Sequence, residues 1–427
     1  MKKILFVGYS PAIITAIEKI RAVDQTCEIT LISPEPYYPY NSSKLDQLLG
    51  KKCSLHDVLA RSKDFFDTHR VHVVLGQKPV RFSLRKNYVT TEDKEQYPFD
   101  ILVLTETGDV VLPNIKGITK EGIYASSRLS QTKRLYDLLP ITETFIIQSD
   151  SLCGLRFAAA LLKQEKDVSL VTKKEYLLQD ILNEEASAYL VSVLESYGGQ
   201  TYTRNIVSEI LGDSDAKAVR LRTGKVLASQ AVIFDAEQPD VRVLKDSPLE
   251  ADGTVSVNAS FQTALDHVFV IGPAAETDKK HLTAHEQAVL ATACITGEES
   301  SSEKTTALNT FDFDGLNLTL IGQTLPGEGI RLVEHFDQQQ KMYRRFYIRG
   351  GKLIGAVLMN SPQDIEEITA LASREAPESE VTRMWKVTDA RSDTEPTPSQ
   401  GDTDDTEASK STEIPVGGPA EPSSDTA

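Results

Sequence analysis

The 427-residue chain has only four cysteines, Cys27, Cys53, Cys153 and Cys294. None stands in a C-x-x-C or C-x4-C spacing, which excludes a redox disulfide between sequence neighbours and a cysteine zinc cluster. Such usage suits a reducing, cytoplasmic setting. His281 and His285 share a helical spacing, but no second ligand pair accompanies them, so no metal is expected. No stretch reaches the ~18 apolar residues of a membrane helix. The opening Lys2-Lys3-Ile-Leu-Phe-Val could start a signal peptide, but Gly8, Pro11, Glu18 and Lys19 interrupt it, and a buried first strand is the better reading. Positive charge is also in deficit. With 46 bases against 62 acids the net charge is −16, a poor match for nucleic acid or anionic membrane.

Hydrophobic residues make up 40% and charged residues 25%, enough for a sizeable core in two to four domains. A strand at 3–8, a helix over 11–21 with Pro11 early in it, and a strand at 28–33 form a βαβ unit. The pattern recurs about 140 residues on: strand 144–149, helix 155–164, strand 168–172. Shorter strands follow at 71–76, 101–104, 219–223 and 231–235, and a buried strand at 267–272 precedes a helix over 284–295. After a polar linker at 298–306 comes a third unit, with strands at 316–321, 342–349 and 353–359 and a helix over 362–373. Gly350-Gly351 between two of these strands is a hairpin signal. From residue 390 the chain lacks the apolar residues that offset ordering entropy. Residues 391–427 hold nine acids and two bases, so −7 of the net charge lies in this expected disordered acidic tail.

The expected fold is α/β: two interleaved Rossmann-like dinucleotide-binding domains, a small α+β C-terminal domain and the tail. The boundaries are 1–112 with 235–297 for the first domain, which is split, 113–234 for the second, 307–375 for the third and 390–427 for the tail.

Several segments resemble the FAD-dependent pyridine-nucleotide reductases of the rubredoxin-reductase and nitrite-reductase-large-subunit type. Gly8-Tyr-Ser-Pro-Ala-Ile resembles that family's G-x-G-P-A-G opening. Ile32-Ser-Pro-Glu-Pro-Tyr-Tyr-Pro-Tyr-Asn resembles its I-S-x-E-P-x-x-x-Y-x-R segment. Val268-Phe-Val-Ile-Gly-Pro-Ala-Ala-Glu resembles V-Y-A-I-G-D-x-A-E, and Tyr343 to Met359 resembles the family's C-terminal domain. The resemblance covers about residues 1–375. It implies FAD in the first domain, NAD(P)H in the second, hydride transfer to the flavin and electrons passed to a small carrier protein.

The chain departs from that pattern at the cofactor positions. In the first loop Gly8, Pro11 and Ala12 remain, but the second and third glycines are Ser10 and Ile13. Those glycines admit the pyrophosphate and let helix and strand pack closely. Ser10 could donate to a phosphate; Ile13 implies that the helix shifts or the site closes. Glu35 could hold the adenosine ribose, or be a plain exposed acid. The A-T-G turn appears as Glu106-Thr107-Gly108, the pocket arginine as Ser42 and the L-S-K lysine as Gln47. The second loop, G-G-G-x-x-G-L-E in the family, reads Ser149-Asp150-Ser151-Leu152-Cys153-Gly154-Leu155-Arg156. Only Gly154 survives, and Asp150 is expected to cap the helix and displace a phosphate. Lys173 and Lys174 could favour a 2′-phosphate or be solvated charge. In the third signature Gly272 remains, but its aspartate is Pro273, which has neither a carboxylate acceptor nor an N–H. Ser10, Ser149 and Ser151 show no His/Asp partner motif, so hydrolase chemistry is not supported. Cys53 follows Lys51-Lys52, a neighbourhood that can lower a thiol pKa; the other reading is an inert thiol. Two functions remain open: a catalytically impaired relative kept as a binding or assembly scaffold, and an active flavin-dependent NAD(P)H oxidoreductase serving a redox carrier.

Overall fold

The computed structural model describes residues 1–105, 112–235, 244, 249, 254–277, 282–298 and 306–385. Glu106, Thr107, Gly108, His281, most of the expected linker and the acidic tail lie outside the described residues. The α/β expectation holds. The first sheet is parallel throughout, in the order Val268–Val270, Ile101–Leu104, Lys3–Val7, Glu28–Ser33, Val71–Leu75. The second is also parallel, in the order Ile123–Ala125, Ala231–Phe234, Thr144–Gln148, Asp167–Val171, Gln200–Tyr202. The two sheets share one plan: the opening strand lies at the centre, its βα partner on one side and the returning strand on the other. Each half also has a three-stranded antiparallel meander, Pro79–Ser83 to Gln96–Pro98 in the first and Val207–Leu211 to Val226–Ala228 in the second.

The Lys3–Val7 strand is apolar at successive positions because both faces of a parallel sheet are covered. Ile4, Leu5, Phe6 and Val7 are all buried. Pro11 caps the Ala12–Val23 helix with a φ of −60°, which proline adopts without strain. That helix packs on Ala284–Thr296, whose capping box joins Thr283 to Glu286. Thr15 Oγ1 and His285 Nδ1, 2.7 Å apart, tie the two helices together.

The third sheet is antiparallel, in the order Leu308–Phe313, Leu316–Gly322, Lys352–Met359, Met342–Arg349, Ile330–Asp337. Gly350 and Gly351 have φ values of 56° and 74°, the pair of left-handed residues that a two-residue type I′ turn requires. The Ile365–Ser373 helix covers this sheet and buries Ile368, Leu371 and Ala372. The outer strands Leu308–Phe313 and Ile330–Asp337 and the helices Leu129–Leu138 and Glu184–Ser196 add to the elements that periodicity predicts.

Candidate functional site

The carboxyl ends of parallel strands are where nucleotide sites form. In the first half, Gly8 follows the central strand with a φ of 134° and donates to the Ile32 carbonyl at 2.9 Å. Ser10 is 2% exposed; its Oγ accepts a long bond from Ala12 N–H at 3.4 Å and does not face solvent. Ala12 is buried, and Ile13, 1% exposed, lies in the core of the first half with Ala288, Ala291 and Ile295. Tyr9 stacks on Tyr40 at 5.0 Å between centroids and 8° between planes. The Arg128 guanidinium lies 5.3 Å from the Tyr9 ring centre.

Glu35 is no exposed acid. Its Oε1 accepts from Arg128 Nη1 at 2.9 Å and from Ser130 Oγ at 2.8 Å, and its Oε2 from the Ser130 N–H at 2.9 Å. The side chains of Arg128 and Glu35 are 6% and 3% exposed. Burial opposes the Arg128 charge, but Tyr9 and Glu35 outweigh it and hold its pKa above the ordinary value. Burial, reinforced by Tyr9, also pushes the Tyr40 hydroxyl well above its usual range. That hydroxyl accepts the Leu129 N–H at 3.2 Å. In the third signature, Gly272 N–H donates to Gln287 Oε1 at 2.7 Å, whereas Pro273 is exposed.

In the second half, Ser151 rather than Asp150 caps the Leu152–Leu162 helix, its Oγ accepting from Cys153 N–H at 3.0 Å. Asp150 instead turns away: it accepts from Thr172 Oγ1 and pairs with Lys173 at 3.5 Å. Thr172, at the end of the neighbouring strand, competes for that carboxylate and wins it from the helix. Lys174 pairs with Asp180 at 2.9 Å, so both candidate 2′-phosphate lysines have acidic partners. The acid at the helix entrance is Asp235. Its Oδ1 accepts from Ser126 Oγ at 2.8 Å, and its Oδ2 from Ser149 Oγ at 2.8 Å and from Ser151 Oγ. Ser149 Oγ also accepts the Ser151 N–H at 3.0 Å. Gly154 permits this closure, because a Cβ there would overlap Ser149 Cβ and Oγ. The serines therefore do have an acidic partner, but no histidine joins them in these bonds.

Asp235, Ser126, Arg128 and Ser130 carry no motif in the sequence. The one available signal is an acid ending the fully buried Ala231–Phe234 strand, where a parallel sheet puts its loops. Cys53 and Cys153 are not activated thiols. Burial raises the Cys53 thiol and pushes Cys153 up to about 12, so the basic neighbourhood of Cys53 does not activate it. All four cysteines are unpaired. Among the described residues no His/Cys/Asp/Glu group could hold a metal, and no helix is long and apolar enough to cross a membrane.

Comparison with known proteins gives the same frame. Residues 2–291 match the model of the pyridine nucleotide-disulphide oxidoreductase family. The nitrite reductase [NAD(P)H] of Bacillus subtilis is 24% identical over 392 residues, 90% of this chain and 48% of that protein. The assimilatory nitrate reductase electron transfer subunit of the same organism is 23% identical, over 86% of this chain and 48% of its own. This chain thus spans about half the length of these two relatives. The NADH-rubredoxin oxidoreductase of Clostridium acetobutylicum is 22% identical over 64% of the chain and 68% of its own. Among solved structures, a covalent putidaredoxin reductase–putidaredoxin complex superposes with a TM-score of 0.78 at 18% identity, covering 88% of this chain and 94% of the other. The ferredoxin reductase for the CYP199A2 system of Rhodopseudomonas palustris superposes at 0.77 and 18%, covering 88% and 96%. With two parallel nucleotide-type sheets, the glycine-loop positions at their carboxyl ends and a family match over more than half its length, this chain belongs to the pyridine nucleotide-disulphide oxidoreductase family.

Proposed function

We propose that this chain is a family member that no longer takes NAD(P)H and has kept the reductase architecture as a binding or assembly scaffold, with a small redox carrier as the kind of partner the fold suits. One observation carries this reading: the Asp235 carboxylate already receives three serine hydroxyls at the entrance of the Leu152–Leu162 helix. A dinucleotide pyrophosphate needs free N–H groups and no competing anion at such a helix start. Here the serines answer an internal carboxylate, and a second acid, Asp150, stands beside them. The residues present do not fit a pyridine dinucleotide.

They do not fit FAD either. The acid that would hold the adenosine ribose is sealed by Arg128 and Ser130, and Ser10 and Ile13 are turned into the core. The division at about residues 112, 235 and 297 is retained as the working domain map. An active flavin oxidoreductase is the second reading. It is favoured by the backbone of the flavin half, where Gly8 and Gly272 keep left-handed φ values of 134° and 95°. It would take electrons from NAD(P)H and pass them to a small carrier protein.

The test is a titration of the purified full chain with NADH, NADPH and FAD. The expected result is no binding of either nicotinamide nucleotide below about 1 mM, the upper end of ordinary substrate affinities, and no flavin retained after gel filtration. A yellow protein with one flavin per chain, bleached by stoichiometric NADH, would end the scaffold reading. The same bleaching would support the second reading, whereas a yellow protein that NADH and NADPH leave oxidised would overturn it and show that only the flavin half still holds its cofactor.

A further inference from the structure

A cleft of about 440 Å³ opens between three elements: the segment around Ser43–Lys52, the outer face of the Leu152–Leu162 helix and the Leu308–Phe313 strand. Of the three nucleotide-loop signatures only Arg156, the last residue of the second, lines it, together with Gln47. Its volume is in the range of small-molecule sites. Its floor is built from small residues. Gly50 meets Ala160 so closely that a Cβ on the glycine would stand 3.4 Å from the alanine Cβ and 3.1 Å from the Asp46 carbonyl.

The walls are cationic. Arg156, Lys52 and Lys163 all line the cleft, against the carboxylates of Asp46 and Asp312. In a chain of 62 acids and 46 bases, a carboxylate is the partner either lysine would be expected to take. Lys52 and Lys163 have none within 4.0 Å among the described residues, whereas Lys133, Lys166 and Lys174 each have one. Lys163 is held over the Phe313 ring at 5.1 Å from its centre. Arg156 is fixed by bonds to the strand that forms the far wall: its Nε donates to the Thr310 carbonyl at 3.1 Å, and its Nη2 to the same carbonyl and to Asn309 Oδ1. A guanidinium anchored along one edge still presents donors on the other, and two ammoniums stand beside it. This is the donor set that carboxylate and phosphate groups select.

We infer that this cleft binds a small polyanion, a di- or tricarboxylate or a phosphate compound, with Arg156 as the fixed anchor and Lys52 and Lys163 closing on its charges. The inference does not depend on the fate of the nucleotide loops. Isothermal titration of the full chain with citrate and with inorganic pyrophosphate, at about 50 mM salt to limit screening, tests it; glycerol is the neutral control. The expected result is saturable one-to-one binding of at least one anion and none of glycerol. The double variant Lys52→Ala/Lys163→Ala should weaken it at least about tenfold, as loss of close charge partners does. Both lysines are exposed, so the double variant should melt as the parent does in the absence of anion. Asp235→Asn, which alters only the second nucleotide loop, should bind as the parent does. A response to citrate alone assigns a carboxylate ligand, and a response to pyrophosphate alone a phosphate one. No saturable binding of either anion at about 10 mM, weaker than functional sites for small molecules, would overturn the inference. So would full-strength binding by the double variant, because the anion would then sit elsewhere.

Discussion

The two nucleotide-type halves share a sheet plan, yet their glycine loops are closed by opposite means. In the first half the closure is apolar and aromatic: Ile13 enters the core, Tyr9 stacks on Tyr40, and Glu35 is shut behind Arg128. In the second it is polar: three serines turn onto Asp235, and the one retained glycine lets Ser149 approach the helix. Around its one buried ion pair, the first closure draws its stability from apolar burial. Polar closure rests on satisfied hydrogen bonds in a partly buried place, where each loss leaves a partner unmet. A family loop can thus be abandoned by filling it or by tying it.

The largest effect should come from emptying the first loop. Ile13→Gly restores the family residue but removes a wholly buried side chain and puts glycine inside a helix. The expected cost is about 3–6 kcal/mol of unfolding free energy in urea, with no gain of flavin, since Glu35 stays sealed. Flavin retained by this variant at one per chain would mean that Ile13 alone blocks the site. Next, Arg128→Ala leaves a buried carboxylate with Ser130 alone. We expect a loss of about 3–5 kcal/mol; a loss under about 1 kcal/mol, the scale of an exposed pair, would show that Glu35 is reached by solvent. Gly154→Ala probes the second half, where the added methyl overlaps Ser149. The expected loss is about 1–3 kcal/mol, and Ser149→Gly in the same chain should recover part of it. Equal stability of Gly154→Ala and the parent would remove the steric half of the comparison.

The smallest effect concerns the seam between the halves, where Asp46 faces Arg156. Burial holds the Asp46 carboxyl above its usual 3.8, against the pull of Arg156. A raised acid pKa means that the folded chain binds more proton than the unfolded one. The penalty is therefore full above the folded pKa and gone below about 3.8. Asp46→Asn should melt slightly higher than the parent at pH 7, and the two melting temperatures should converge as the pH falls toward 4. A gain that is the same at both pH values would show that charge is not its origin.

The frame of the molecule was open to reading because it is written locally. Strand, Pro11 and helix follow one another within twenty residues, and Gly350-Gly351 states its own turn. The Glu184–Ser196 helix was legible in principle, with Asn183 accepting the Ala186 N–H as its cap, but its mixed apolar face blurs the period. The candidate site was legible only as losses. Ser10, Ile13, Ser149, Asp150 and Pro273 stand out against the family pattern, but what replaces the lost glycines does not. Asp235 lies 109 residues from Ser126 and 84 from Ser151, and Arg128 lies 93 from Glu35. No spacing rule connects residues so far apart; only the strand order brings them together. Asp150 shows the same limit, since its position suggests a cap and Thr172, from the adjacent strand, takes it instead.

The bond between Glu35 and Arg128 also sets an order of events. The loop it closes spans 93 residues, and long loops close late because their ends meet rarely. Until the strand preceding Leu129–Leu138 arrives with its counter-charge, the Glu35 carboxylate stays hydrated. Unfolding should retrace that path, with the two halves parting at this point before either sheet frays. The Ser130 amide, which donates to Glu35 at 2.9 Å, is the natural reporter. In hydrogen exchange it should open earlier than the amides of Lys3–Val7 and Thr144–Gln148 on either side.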